Sequence, residues 1–179
     1  MELASYYSPQ SIAYIFIELN LSIEDEFKMI DEIYELDALK LLPQYRKKKK
    51  KFLQKLFLCE IKLLNSKAIS HELPRINQDI LDSNEKVLAP KVFTEDIEPM
   101  DLLFQKIRLQ LLFLDKDSVR MKMRTIMKFY GKKRMSENFY QHLNSCLRFY
   151  RLDTYSPSTR KVKIESIGLD KMVFFKLKK

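Results

Sequence analysis

The chain has 179 residues, 46% of them hydrophobic, and a formal net charge of +9 from 33 Lys and Arg against 24 Asp and Glu. Its two glycines, Gly131 and Gly168, stand alone, which excludes a Gly-rich phosphate loop, and no apolar run approaches the roughly 18 to 20 residues of a membrane span. Glycine supplies the positive φ angles of tight turns, so a chain this poor in it is expected to be mostly helical, in one domain or two small ones.

Ser8-Pro9 reads as an N-cap followed by proline at the first helical position, opening a helix over about 9–19. The apolar stretch 11–21 is broken by Glu18 and Asn20 and follows no basic segment, so no signal peptide is expected. An ordered pattern so near the first residue suggests a piece cut from a longer protein. Ser22 caps a second helix whose first turn holds Glu24, Asp25 and Glu26, well placed for the dipole. Phe27, Ile30, Ile33, Tyr34 and Leu39 form its apolar stripe, and Pro43 ends it. Residues 1–42 carry 2 basic and 9 acidic groups.

A long helix is expected over 45–66. It starts on Arg46 and the run Lys47, Lys48, Lys49, Lys50, Lys51, and continues with Phe52, Leu53, Leu56, Phe57, Ile61 and Leu64. The run reads either as a phosphate-contacting or localisation patch, or as the solvated start of a helix. Six adjacent cations wrap right around a helix and oppose its dipole, a mismatch that favours function slightly. Residues 67–98, rich in Pro, Asn, Asp and Ser, read as a long connection with at most a short helix near 76–81. The domains expected are 1–90 and 91–179.

Pro99 opens a helix over about 99–114. Asp117-Ser118 is expected to cap another over 118–130, with Val119, Met123, Ile126, Met127 and Tyr130 on one face, stopped by Gly131 and the basic turn Lys132-Lys133-Arg134. Ser136 caps a third, with Phe139, Leu143, Cys146, Leu147 and Tyr150 inward, and Pro157 marks the exit. Residues 162–167 and 171–177 alternate as strands around Gly168, a β-hairpin. Residues 116–179 hold 17 basic and 5 acidic groups. The fold expected is mainly α with a small β-hairpin, α+β. Three helices and a hairpin follow the winged helix-turn-helix plan. A second such unit in tandem in the first half stays open, because no hairpin is visible there.

Catalytic chemistry is not legible. His71, read as lying in a loop, and His142, on a helix face, lie far apart without zinc spacing. The hairpin reads Lys163-Ile164-Glu165, the reverse of the acid-x-Lys order of a restriction-type nuclease. We expect no enzyme, no cofactor, no metal and no small-molecule substrate. Cys59 and Cys146 are expected as isolated thiols in a reducing, intracellular compartment. The candidate nucleic-acid or partner-binding residues are Lys47, Lys48, Lys49, Lys50, Lys132, Lys133, Arg134, Arg148, Arg160, Lys161 and Lys163. The third helix would be the recognition helix, with Glu137, Asn138, Gln141, Asn144, Ser145 and Arg148 outward. Its cations sit late and Glu137 early, whereas groove-reading helices present their N-terminal residues. Basic density flanks the helix instead, which suits backbone, single-strand or protein contacts. Tyr6, Tyr7, Tyr150 and Tyr155 are read either as base-stacking or, more commonly, as packing residues.

The helix-rich first half with its long connection, the stretches Asp117–Tyr130 and Ser136–Arg151, and the hairpin Val162–Leu177 together resemble one known family region. It is the C-terminal tandem winged-helix region of the middle, replication-protein-A-like subunit of the CST telomere-capping complex, in its telomerase-associated version. The resemblance implies a nuclear, non-catalytic interaction module that docks protein subunits, telomerase or polymerase α-primase, within a single-stranded-DNA maintenance complex. It transfers no individual site residue. The alternative is a winged-helix transcription regulator that binds duplex DNA.

Overall fold

The computed structural model describes residues 6–72, 99–114, 116–129, 134–158 and 160–178. The protein is mainly helical with one three-stranded antiparallel sheet, an α+β composition. It divides into two compact units, Tyr6–Ile97 and Glu98–Lys179.

The first unit holds α1 (Pro9–Leu19), α2 (Ile23–Leu36), a 3-10 turn (Ala38–Lys40) and α3 (Lys49–Glu72). Ser8 accepts from the Ser11 amide while Ser11 Oγ accepts from the Ser8 amide, a reciprocal box that meets two donors at the helix start. Asn20 ends α1 in the left-handed region, φ 51°, where a short polar side chain is tolerated. Ser22 accepts from the Asp25 amide at the start of α2. Burial follows the helical period: Ile12, Ala13, Ile15 and Phe16 of α1 are buried, and α1 packs on α3. Tyr34 and Tyr45 meet the ring of buried Phe52 edge-on, at 6.0 and 5.5 Å between centroids.

Three expectations are corrected here. The long helix begins at Lys49, not 45: Arg46 and Lys47 lie in a turn, Lys48 directly precedes the helix, and Arg46 Nε donates to the Leu41 carbonyl. The helix then runs to Glu72, so His71 sits on a helix and not in a loop. The stripe of α2 stops short, because Leu39 lies beyond the helix end, in the 3-10 turn, and is 78% exposed. The short helix expected near 76–81 lies outside the described residues.

The second unit holds α4 (Pro99–Phe113), β1 (Val119–Lys122), α5 (Met123–Phe129), α6 (Glu137–Phe149), β2 (Leu152–Tyr155), a 3-10 turn (Ile164–Ser166) and β3 (Met172–Leu177). The sheet order is β1-β3-β2, both pairs antiparallel. Val173 and Phe175 of β3, with Leu152 and Thr154 of β2, are buried, and α4 packs against β3. Phe104 of α4 meets Phe175 edge-on at 5.8 Å. Ser136 caps α6 through the Phe139 amide, and Phe139, Leu143, Cys146, Leu147 and Tyr150 are all buried, as their spacing implies. Arg108, itself buried, donates from Nη1 to the Tyr150 carbonyl at 2.5 Å and ties α4 to the end of α6.

The helix expected over 118–130 is a strand followed by a shorter helix. Val119 and Met121 alternate with exposed Arg120 and Lys122 and pair with β3. The first amides of α5, Met123 and Arg124, donate to the Lys171 and Leu169 carbonyls, so backbone next to the sheet supplies what a cap would. The hairpin is also drawn differently: 162–167 is no strand, and β3 pairs with β2 instead. Arg151 sits at φ 50° and reverses the chain directly after α6, so β2 starts at Leu152 with no Gly or Pro to announce it. Ile164 and Ile167, three residues apart, both turn inward from one 3-10 turn, which two-residue alternation does not describe. The expected stop at Gly131 and the face position of Tyr130 lie outside the described residues.

Candidate functional site

The described candidate cations fall in both units. In the first unit Lys47, Lys48 and Lys50 are exposed, and Lys49 is bonded to Asp31 of α2. The run is therefore split between a turn and the first turn of α3, and one of its members is already neutralised.

In the second unit Arg134 precedes α6, Arg148 lies in its last turn, and Arg160, Lys161 and Lys163 lie between β2 and β3; all five are exposed. Lys132 and Lys133 lie outside the described residues. Lys161 Nζ bonds Asp153 Oδ2 at 2.7 Å, and that bond holds its pKa up. On α6 the exposed side chains are Glu137, Asn138, Gln141 and Arg148. Asn144 is bonded to Glu165, and Ser145 Oγ donates to the Gln141 carbonyl. The helix thus presents one anion at its start, one cation at its end and neutral amides between them.

Of the tyrosines, Tyr7 and Tyr150 are fully buried. Tyr6 lies under the Arg46 guanidinium, 5.3 Å from its ring centre. Tyr155 alone lies on the sheet, and Lys176 Nζ stands 5.3 Å from its ring centre.

Beside Tyr155 and Lys161, which the sequence offered, stand Arg120, Lys122, Phe174 and Lys176, which it did not. Register pairs Arg120 with Phe174, Phe174 with Tyr155, and Tyr155 with Lys161. Directly paired residues share a face, so a cation, two rings and a second cation cross the sheet in one row. The signals were present: Phe174-Phe175 puts one ring on each face of a strand, and Val119-Arg120-Met121-Lys122 alternates apolar with basic. Reading 118–130 as a helix scattered Arg120 and Lys122 around an axis.

Glu60 of α3 is 8% exposed, and its Oε1 has no hydrogen-bond partner among the described residues. Burial, and then repulsion from Glu26, push its carboxyl up to about 7; burial raises Glu26 too. An unfolded Glu titrates near the ordinary value of 4.5, so between there and about 7 the folded state holds the extra proton. This contribution to stability is complete below the unfolded value and is lost as pH rises through about 7. Glu60→Gln should therefore stabilise the protein at pH about 8 by about 1 to 2 kcal/mol, part of the gain being offset because the Gln amide is buried in turn, and by less at pH about 5. Urea melts of both forms at the two pH values check this; equal differences at both would refute it.

Among the described residues, no group of three or more His, Cys, Asp or Glu side chains could hold a metal ion, and no helix is long and apolar enough to cross a membrane. Cys59 is half-buried, Cys146 is buried, and both are free thiols. Comparison with known proteins finds no matching family model, no matching curated protein and no matching solved structure.

Proposed function

We propose that Glu98–Lys179 is a winged-helix unit and that the protein is a non-catalytic module docking protein subunits of a telomere or single-stranded-DNA maintenance complex. The order helix, strand, helix, helix, strand, strand with sheet order β1-β3-β2 supports the winged-helix reading. The observation that carries the docking reading is the exposed face of α6. Glu137 stands where a groove-reading helix meets the DNA, and the only cation on that face comes a full helix later. A phosphate-lined groove would repel that start; the neutral amides of Asn138 and Gln141 suit a protein surface. Exposed apolar stripes give further support: Ile23 and Phe27 on α2, and Ile61 and Leu64 on α3, joined where Phe27 packs on Phe57 at 5.5 Å. The resemblance to the telomere-capping subunit points to telomerase or polymerase α-primase as the docked partner and to the nucleus as the location.

The test is capture of tagged protein from its source, followed by assay of the captured material for telomerase and primase activity. We expect activity to copurify, and to fall at least about tenfold when Asn138→Arg and Gln141→Arg are combined, a loss of about 1.4 kcal/mol. Absence of both activities, together with tight binding of duplex DNA that weakens steeply with salt, would instead support the transcription-regulator alternative.

A further inference from the structure

The face of the sheet turned away from the core carries both cations and aromatic rings. Inward from the three strands point Val119, Met121, Val173, Phe175, Leu152 and Thr154. Outward, by the alternation of side chains along a strand, point Arg120 and Lys122 of β1, Met172, Phe174 and Lys176 of β3, and Asp153 and Tyr155 of β2. Residues 160–162 fold back along the other edge of β2, with the Val162 amide on the Thr154 carbonyl and the Ser156 amide on the Arg160 carbonyl, both at 2.9 Å. This adds Lys161 to the same face, opposite Tyr155.

The central row is therefore Arg120, Phe174, Tyr155, Lys161. Lys122 flanks it on one side and Lys176 on the other. Arg120, Lys122 and Lys161 are exposed; Phe174, Tyr155 and Lys176 are partly exposed. The one carboxylate on the face, Asp153, is already held by Lys161. Neighbouring strands lie about 4.8 Å apart, and same-face residues along a strand about 6.7 Å apart. The two rings are thus adjacent; Arg120, Lys161 and Lys176 each lie one strand or one repeat from a ring, and Lys122 lies on the diagonal from Phe174.

We propose that this face binds single-stranded nucleic acid, with unpaired bases stacking on Phe174 and, as Lys176 swings off its ring, on Tyr155, and with the backbone phosphates meeting Arg120, Lys122, Lys176 and Lys161, the last exchanging Asp153 for a phosphate. Two adjacent rings offer π-faces to any base, and cations on both sides follow the charged backbone in either direction. A duplex keeps its bases stacked inside and cannot use the rings. An acidic peptide would use the cations and leave the rings idle. The inference is separate from the protein-docking role of α6, since it concerns another face and another ligand.

The test is fluorescence anisotropy of the full chain with a labelled oligothymidylate of about 12 nucleotides. We expect saturable binding at about 50 mM salt, weakened about 50-fold at about 200 mM if about four phosphates are contacted. Phe174→Ala with Tyr155→Ala should weaken binding about tenfold or more, and Phe174→Tyr with Tyr155→Phe should preserve it. Should the alanine pair unfold, Phe174→Leu with Tyr155→Leu keeps the packing and removes the rings, and the same loss is expected. Arg120→Glu with Lys122→Glu, both at exposed positions, should remove binding while circular dichroism is unchanged. No binding at low salt, equal affinity for a duplex of the same length, or wild-type affinity in the folded ring variants would each overturn the proposal. Displacement by polyglutamate that is equally effective in the ring variants would reassign the face to acidic protein. The assay contains only this chain and the oligonucleotide, so a failed capture of telomerase or primase has no bearing on it.

Discussion

Phe175→Ala should cost about 3 to 5 kcal/mol, a large share of the stability of about 4 to 12 kcal/mol expected of a unit the size of Glu98–Lys179. Phe175 is fully buried on the central strand, between Val119 and Thr154 in register, with the ring of Phe104 edge-on at 5.8 Å. Truncation removes about six heavy atoms from a site walled by two strands and α4, and a strand held on both edges cannot move in to fill the space. The neighbouring Phe174→Ala, on the outer face, should cost about 1 kcal/mol or less. Urea unfolding combined with hydrogen exchange of the β3 amides measures both. Equal costs at the two positions would mean that the register of β3 is wrong, because a slip of one residue exchanges the faces.

The second large effect lies in the first unit. Asp37→Ala should destabilise it by about 3 to 4 kcal/mol. The carboxylate is 2% exposed; Oδ2 accepts from the Tyr7 hydroxyl at 3.0 Å and Oδ1 from Lys40 Nζ at 3.2 Å. Around it the Tyr7 amide donates to the Lys40 carbonyl at 2.7 Å, and the Leu42 amide donates to the Tyr7 carbonyl at 3.0 Å. The Asp37 side chain therefore reinforces the backbone bonds that tie the segment before α1 to the turn after α2. Removing it takes this acceptor from a fully buried hydroxyl and from a largely buried amine, and such desolvated groups cost more than an average hydrogen bond. Tyr7→Phe alone should cost about 1 to 1.5 kcal/mol. A double-mutant cycle should then return a coupling of about 1 kcal/mol or more, whereas additive losses would show that the pair does not act together.

Elements governed by neighbours in sequence were legible. Ser8-Pro9, Ser22 and Ser136 each cap the helix expected of them, and Pro99 opens the next, because a cap is a contact within three residues. The inward face of α6 was equally readable, since Phe139, Leu143, Cys146, Leu147 and Tyr150 repeat at the helical period. Of the proposed site, the late position of Arg148 and the early one of Glu137 could be read directly.

What the sequence alone determined is thus the helical frame and the excess of cations toward the end of the chain. The tertiary structure decided which of those cations share a surface. Arg120 and Lys122 read locally as a helix, and only pairing with Phe174 and Met172 makes them a strand. Lys161 reads as a free cation until the chain folds back on β2 and brings it to Asp153. The partners of a strand are chosen by packing and hydrogen bonding across long stretches of chain, so the row Arg120, Phe174, Tyr155, Lys161 has no local code.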